Sequence, residues 1–361
     1  MPTFELNDGR SRKRWTIHRS GAEVTTSWGT IGAPPESVTR SHSSRIYAVA
    51  FVRDQIRQRR SKGYVRVVDR RADPVLAHDP RLAAEVRRTF ATQDYAVYAD
   101  FLQHAGDRRG ELAALSIAAE AGDEAAATRA RELARELEDV VVGPVAPWIE
   151  EHVHVDCRLG FPSTASFRGL IAARGPSLSE VLEHPTFCFL RELELREEPR
   201  EQVMHLARLN PPPPLRNLEL FVESSLSRDE LSAILAPYPR LERLVLWAPR
   251  LPVVELHSTS LVELGLAYGP DIEALRVALD DRALPALRSL LLGGLGAEVL
   301  RLLVDVRVAP SLEKLNLEAC ALQGASEVDL AAFAATYSHL KELRVSWAAR
   351  DPFLALGLPV V

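Results

Sequence analysis

Cysteine is scarce in this sequence, and long apolar stretches are missing. The 361 residues include 3 cysteines, and Cys157, Cys188 and Cys320 form neither a CxxC pair nor a spacing typical of a metal site. We interpret each of them as a small buried apolar residue. No apolar run reaches the roughly 18–20 residues that span a bilayer, and the polar N-terminus lacks the apolar core of a signal peptide. We therefore expect a cytoplasmic protein that makes no membrane contact.

Catalytic signatures are missing as well. The sequence has no GxSxG, GxxxxGK[ST], HExxH or GxGxxG motif. Gly293-Gly294-Leu295-Gly296 has no lysine and fits a tight turn of a repeat better than a phosphate loop. His152 and His154 alternate on a predicted strand beside Asp156, but no further cluster of metal ligands accompanies them. We expect a protein that is not an enzyme and that needs neither a metal nor a small-molecule cofactor.

The charge is unevenly distributed along the chain. The net charge is −5, yet residues 1–70 carry 14 Lys and Arg against 6 Asp and Glu, whereas residues 71–361 carry 30 against 43. Such a split indicates different partners for the two regions. The alternative is that the basic run Arg57–Lys62 is simply the solvated C-terminal end of a helix, where the helix dipole favours cations.

The pattern LxxLxL recurs seven times in the second half of the chain. Its first leucines are separated by 25, 26, 20, 26, 25 and 28 residues, within the period of about 20–29 residues typical of leucine-rich repeats. The LxL part is a short strand whose leucines point into the core, and neighbouring units must stack to bury them. The motifs are Leu190-Leu193-Leu195, Leu215-Leu218-Leu220, Leu241-Leu244-Leu246, Leu261-Leu264-Leu266, Leu287-Leu290-Leu292, Leu312-Leu315-Leu317 and Leu340-Leu343-Val345.

These repeats resemble a leucine-rich-repeat solenoid, in which a parallel sheet carries helices on its outer side. Helix-like composition follows five of the strands, over Arg200–Arg208, Ser227–Ala236, Asp271–Leu279, Ala297–Val304 and Val328–Tyr337. The short step from Leu241 to Leu261 contains Pro249 and Pro252 and is predicted to cross in an extended segment. The Asn or Cys of the family consensus is present only as Cys320.

The residues that flank the third leucine point away from the core and form the concave face. They are charged at both ends of the array and apolar or small in the middle, where Trp247 stands beside Gly265 and Ala267. We expect an exposed apolar trough that binds a protein partner. Its candidate residues are Phe221, Val245, Trp247, Leu291 and Arg344. The alternative is that Trp247 folds over a loop or that the N-terminal region covers this face.

Residues 4–66 carry a different set of motifs. The segments Phe4–Leu6, Trp15–His18 and Glu23–Trp28 are predicted strands, Ser43–Arg60 is a predicted amphipathic helix, and Val65–Val68 can close the sheet. Together with Lys13-Arg14-Trp15, Trp28-Gly29-Thr30-Ile31-Gly32 and Lys62-Gly63-Tyr64, they resemble the WGR domain, a small α+β fold.

The resemblance implies a nucleic-acid contact. In the WGR domains of poly(ADP-ribose) polymerases, the motif tryptophan stacks against a sugar at a DNA end, and nearby basic residues hold phosphates. Trp28 and Gly29 match that motif, whereas Thr30 replaces its arginine and removes a charge-assisted donor. The candidate nucleic-acid-binding residues are Trp28, Lys13, Arg14, Arg40 and Arg45. The alternative is that Trp15 and Trp28 are core aromatics.

Residues 75–140 are predicted to be helical and contain one more motif. Tyr98–Leu102 followed by Gly106–Glu111 (YADFL, GDRRGE) resembles the repeat-companion segment that precedes leucine-rich repeats in some bacterial, especially myxobacterial, proteins. We expect Gly106 to end one helix, Asp107 to cap the next, and Arg109 to pair with Glu111. The alternative is a catalytic Asp-Arg-Glu cluster.

The sequence thus predicts an α/β protein of three parts: a WGR domain over residues 1–70, a helical repeat-companion segment over 71–150, and a leucine-rich-repeat solenoid over 151–361. The predicted function is that of a recognition or adaptor protein, which binds an unidentified protein partner through the concave face and uses the WGR domain as a second contact. The alternative is a sensor of DNA ends or RNA that acts through the basic WGR domain.

Overall fold

The computed structural model describes residues 3–7, 9, 11–20, 22–67, 76–149, 152–169, 175–249, 256, 258–267, 272, 275–276, 279, 284–306 and 311–361. The chain forms two compact units, Met1–Leu190 and Arg191–Val361.

The first unit begins with an antiparallel sheet and one helix. Its strands are β1 (Thr3–Asn7), β2 (Arg12–Ser20), β3 (Glu23–Thr30), β4 (Glu36–Ser41) and β5 (Val65–Val67), with helix α1 (Arg45–Ser61) before β5. The spatial order of the strands is β4-β3-β2-β1-β5. The helix and four of the strands are found where the sequence predicts them. Strand β4 was not predicted, because all six of its residues are exposed and no apolar alternation marks it.

One side of this sheet and α1 enclose a small core. Phe4, Trp15, Ile17 and Ile56 are each no more than 1% exposed, and the rings of Phe4 and Trp15 lie 5.3 Å apart. Ser44 caps α1 by accepting a hydrogen bond from the backbone nitrogen of Tyr47. The other side of the sheet carries Glu5 and Arg14 together with the exposed Val65.

Five helices and a hairpin complete most of the first unit. The helices are α2 (Pro80–Thr89), α3 (Thr92–His104), α4 (Arg109–Glu120), α5 (Glu124–Glu136) and α6 (Glu138–Val142), and a 3-10 helix covers Gly143–Trp148. Strands β6 (Val153–Arg158) and β7 (Phe161–Arg168) form the hairpin. The short helices α7 (Leu178–Leu182) and Pro185–Phe187 follow. Four rings, those of Tyr95, Tyr98, Phe161 and Phe189, pack with centroids 5.0–6.2 Å apart.

The GDRRGE motif joins α3 to α4 through a buried ion pair. Gly106 follows the end of α3 with a positive φ of 76°, as expected for a helix C-terminus. The N-cap position of α4 is Arg108 rather than the expected Asp107, but Asp107, one residue earlier, accepts a hydrogen bond from the backbone nitrogen of Arg109. Its carboxylate also binds the Arg109 guanidinium, with an Nη2 to Oδ2 distance of 2.6 Å. Both groups hold the backbone of Ala77, whose nitrogen donates to Asp107 and whose oxygen accepts from Arg109.

The expected pairing of Arg109 with Glu111 is wrong. Residues two apart on a helix face different sides, so Arg109 points into the core and is 1% exposed, while Glu111 lies outside near Arg108 and Arg129. Gly110 allows the close approach of the two helices, because a Cβ there would lie 2.4 Å from the carbonyl oxygen of Ala99. The motif therefore has a structural role in the described residues.

The second unit contains seven parallel strands in its described part. They are β8 (Glu192–Arg196), β9 (Asn217–Phe221), β10 (Arg243–Trp247), β11 (Glu263–Ala267), β12 (Ser289–Gly296), β13 (Lys314–Ala321) and β14 (Glu342–Val345), and they lie side by side in sequence order. Each predicted LxL segment lies in one of them. The middle leucines of the motifs are register partners from strand to strand, and none is more than 2% exposed: Leu193, Leu218, Leu244, Leu264, Leu290, Leu315 and Leu343.

Helices follow most of these strands. They are α8 (Arg200–Val203) with the 3-10 helix Met204–Arg208, α9 (Arg228–Leu235), α10 (Glu298–Val306), α11 (Glu327–Tyr337) and α12 (Arg350–Ala355). Most of the helix predicted over 271–279 and most of the proline-containing segment 249–255 lie outside the described residues. Buried tyrosines connect successive helical segments, since the Tyr238 hydroxyl donates to the oxygen of Leu206 and the Tyr337 hydroxyl to that of Leu303. Within the described ranges, no helix is long and apolar enough to cross a membrane.

We predict that Asp107→Ala destabilises the protein by about 3–5 kcal/mol, because it leaves the buried Arg109 charge uncompensated. Glu111→Ala is the matched control in the same motif. Its ion pairs are about half exposed, so it should change the free energy of unfolding by no more than about 1 kcal/mol. Urea denaturation followed by circular dichroism measures both values, and equal effects would contradict a structural role for the buried pair.

Candidate binding surfaces

Three side chains stack on the side of the parallel sheet that faces away from the leucine core. Arg196, Phe221 and Trp247 are register partners on β8, β9 and β10. The rings of Phe221 and Trp247 are parallel, with centroids 5.1 Å apart and an interplanar angle of 4°. The Arg196 Cζ lies 4.2 Å from the centroid of the Phe221 ring. The stack follows from the register, because neighbouring strands are about 4.8 Å apart.

Charged side chains on the same side are paired with one another. Arg196 contacts Glu194 and Glu219. Arg243 donates to Glu219 at 3.0 Å and to Glu263 at 2.8 Å. Partial burial acts against the charged form of Arg243, yet the hydrogen bonds with Glu263 and Glu219 outweigh it and raise the pKa of this group. The network holds Arg196 over the ring of Phe221.

The middle of this face differs from the expected open trough. Phe221 and Trp247 are half-buried, but Val245 is only 1% exposed, as is Ala267. Val245 occupies the space next to Gly265, where a Cβ would lie 2.9 Å from the valine Cγ1. Because Gly265 has no side chain, Val245 packs over β11 and is buried. Val245 is therefore not part of the exposed surface on which we expected it.

The other two candidates of this face lie farther along the sheet. Leu291 on β12 is half-buried and is the register partner of Gly265. Arg344 on β14 is exposed and donates to Glu342 at 2.7 Å. Four strand spacings separate β10 from β14, a distance of about 19 Å, so Arg344 does not join the aromatic pair.

The glycine-rich segment on β12 is part of a strand rather than a tight turn. Gly293 and Gly296 pair with Ala319 and Ala321 of β13, with register shifts on both sides of Gly293. The backbone nitrogen of Gly296 donates to the Glu298 carboxylate at 2.9 Å. The backbone nitrogen of Gly296 therefore already has a carboxylate partner.

On the N-terminal sheet, Trp15 and Trp28 are register partners on β2 and β3. Trp15 is a core residue with 1% exposure, and the Arg59 guanidinium lies 5.3 Å above its ring. Trp28 is partly buried and packs against the same core. Arg59 also lies over Tyr64 at 5.6 Å, so this part of the basic helix end covers aromatic rings.

Lys13 and Arg14 lie beside the tryptophan motif, because their register partners are Thr30 and Gly29. Arg14 donates to Glu5 at 2.9 Å, and Arg12 donates to the same carboxylate at 3.1 Å. The hydrogen bond with Arg14 is the main cause that keeps the pKa of Glu5 below its ordinary value, although partial burial opposes it. A recess of about 250 Å³ opens here; its lining includes Arg14, Thr16, Ser27, Gly29 and Pro35.

Arg40 and Arg45 are not part of this cluster. Arg40 is exposed at the far end of β4, where it lies 5.5 Å from the ring of Phe51. It is four residues from Glu36, the register partner of Trp28, which corresponds to about 13 Å. Arg45 is the first residue of α1, and its side chain lies outside the described residues. The sequence therefore identified Lys13 and Arg14 as neighbours of Trp28. It did not identify Glu5, the acidic partner of Arg14.

The histidines of the hairpin make separate contacts. His152 Nδ1 lies 3.0 Å from the oxygen of Arg168, and His154 Nε2 lies 3.4 Å from Asp156. The residues that the structure describes contain no group of three or more metal-ligating side chains.

We predict that Gly265→Ala destabilises the protein by about 1–3 kcal/mol, because the new methyl group collides with Val245. Val245→Ala removes both colliding carbons. The double variant should therefore lose less free energy of unfolding than the two single variants lose together, by at least about 0.5 kcal/mol. Urea denaturation of the four proteins completes the cycle. Additive effects would contradict the close contact.

Residues 2–71 match the family model of the WGR domain. No curated protein matches the chain significantly. Among solved structures, a crystal structure of a protein from Bacteroides fragilis is similar at 14% sequence identity and a TM-score of 0.35, covering 95% of this chain and 89% of that one; a similarity this low supports no conclusion about function. The chain thus has a WGR domain at its N-terminus, followed by a helical segment and a region of parallel β-sheet.

Proposed function

We propose that this protein is a non-enzymatic recognition protein, in which a leucine-rich-repeat solenoid binds a protein partner and the WGR domain supplies a second contact. The observation that carries the proposal is the stack of Arg196, Phe221 and Trp247 on the side of the sheet opposite the leucine core.

The assignment of the repeats rests on their spacing and register. Seven LxxLxL motifs follow one another at steps of 20 to 28 residues, and their middle leucines stack in one buried row. Helical segments return the chain between most strands. This combination is typical of leucine-rich repeats, whose units bury their apolar faces only against each other.

The stacked side chains suit a protein partner. Tryptophan and arginine are favoured anchors of protein interfaces, and groups held in place before binding lose little conformational entropy. Phe221 and Trp247 fix each other by parallel stacking, while Glu194 and Glu219 hold the arginine that covers Phe221. We infer that a partner contacts the remaining exposed part of this aromatic pair, with the paired charges around it as a polar rim.

We predict that Trp247→Glu abolishes capture of the partner from native cells, because a carboxylate replaces the central aromatic contact. Trp347→Glu is the matched control, since Trp347 is 85% exposed at another place in the second unit. Affinity capture with nuclease treatment, followed by mass spectrometry, compares the two variants with the unchanged chain. Equal capture by Trp247→Glu and Trp347→Glu would exclude the aromatic pair as the binding surface.

A second candidate function is nucleic-acid binding by the WGR domain. It is favoured by the excess of basic residues in positions 1–70 and by Lys13 and Arg14 beside Trp28. Against it, Glu5 compensates part of the charge of Arg12 and Arg14. The two functions are compatible, because the proposed protein partner contacts the second unit.

If the WGR domain binds duplex DNA through phosphates, log K should fall with log salt concentration by about 0.9 for each contact. Fluorescence anisotropy of a labelled duplex with the full chain measures this slope. Arg40→Gln and Lys13→Gln should each reduce it by about one contact, whereas Arg301→Gln, in the second unit, should leave it unchanged. Absence of binding at low salt, or binding that salt does not affect, would rule the function out.

A further inference from the structure

The first unit contains a cavity that neither binding surface includes. It has a volume of about 310 Å³ and lies between α4, α5, α6, Ile149 and the β6–β7 hairpin. Its lining is mainly aliphatic and includes Leu112, Ala130, Val141, Ile149, Val155 and Leu159. This volume is at the lower end of the range of ligand pockets, which is about 300–1,000 Å³.

Small side chains on α5 create the space. Ala130 and Ala134 stand one turn apart on the same face of the helix and both border the cavity. Leucines at these positions would fill it. Ala130 is 8% exposed, whereas Ala134 lies at the exposed rim of the cavity.

The β6–β7 hairpin, which borders the cavity, has an unusual turn. Leu159 and Gly160 form its two-residue turn, and both have positive φ values, 50° and 79°. Such a turn suits the twist of a hairpin, but the left-handed conformation costs a leucine about 1–2 kcal/mol. A Cβ on Gly160 would lie 3.1 Å from Leu112 Cγ, so the turn is packed closely against α4.

The hairpin also has a register shift between Asp156 and Cys157. Bulges of this kind redirect side chains and are common next to functional sites. Cys157, which we expected to be buried, is exposed to solvent at the cavity wall.

The chemistry of the lining points to an aliphatic ligand. None of the described residues around the cavity is aromatic, so nothing there favours a planar ring. Two charged residues border the cavity, Arg131 and Glu138. Arg131 donates to Ala127 and Thr128 of its own helix, and no acidic residue in the described ranges pairs with it. Glu138 takes part in an interaction of its own. Among the described residues around the cavity, Arg131 alone offers a positive charge to a ligand.

We propose that this cavity binds one aliphatic carboxylate of medium chain length. The hydrocarbon chain lies among the aliphatic side chains of α4, α5, α6 and the hairpin, and the carboxylate lies beside Arg131. The site is independent of the proposed contacts with a protein or a nucleic acid.

Isothermal titration calorimetry of the full chain with hexanoate, octanoate and decanoate tests the proposal. Each methylene group buried in an apolar site strengthens binding about fourfold, so Kd should fall about 15-fold for each step of two carbons, with one ligand per chain. A stoichiometry well above one, or no saturable binding of decanoate, would overturn the proposal.

Two alanine variants locate the site. Ala134→Leu should weaken decanoate binding at least tenfold, because the new side chain fills the cavity. Ala125→Leu makes the same change on the same helix at an exposed position outside the cavity, and should bind decanoate as the unchanged chain does. Equal affinities of the two variants would overturn the assignment to this cavity.

Two further measurements test the contact of the ligand carboxylate with Arg131 and the position of Cys157 beside the ligand. Arg131→Gln should weaken decanoate binding about tenfold and leave 1-decanol binding unchanged, because only the carboxylate loses a charged donor. Saturating decanoate should also slow the reaction of iodoacetamide with Cys157, read out by mass spectrometry of the Cys157 peptide. Equally tight binding of decylammonium, or unchanged labelling of Cys157, would contradict the proposal.

Discussion

The second unit depends on one constraint, the stacking of leucines between parallel strands in a fixed register. Each strand buries the same two motif positions, and no single strand could do so alone. The register does not shift between Leu193 and Leu264. Each of the remaining strand positions therefore also forms a row across β8 to β11. The aromatic stack and the contact between Val245 and Gly265 are both consequences of this alignment.

Sequence alone predicted much of the fold, because the features it used are periodic. The LxxLxL motifs located the strands of the second unit, apolar spacing located α1, and helix-like composition located α8 to α11. Strand β4 was missed, since Glu36–Ser41 is exposed throughout and has no pattern to detect. The partner of Arg109 was also missed, because the choice between Asp107 and Glu111 depends on which side of α4 faces the core.

The candidate sites were less predictable, because they depend on contacts between segments. The register brings Lys13 and Arg14 to the tryptophan motif, but the position of Glu5 between Arg12 and Arg14 follows from the pairing of β1 with β2. Val245 was expected on the surface, and only the glycine on the next strand explains its burial. The cavity left no trace in the sequence, since its lining combines ordinary alanine, leucine and valine residues from separate elements.

The contrast between bulky and missing side chains on one side of the sheet has a mechanical consequence. Phe221 and Trp247 act as a spacer between β9 and β10, whereas Gly265 and Gly293 leave room that Val245, Ala267 and Ala319 enter. Strands separated by stacked rings resist bending toward that side, and strands with glycine resist it less. We expect bending of the sheet toward this side to occur at β11 and β12 rather than at the aromatic pair.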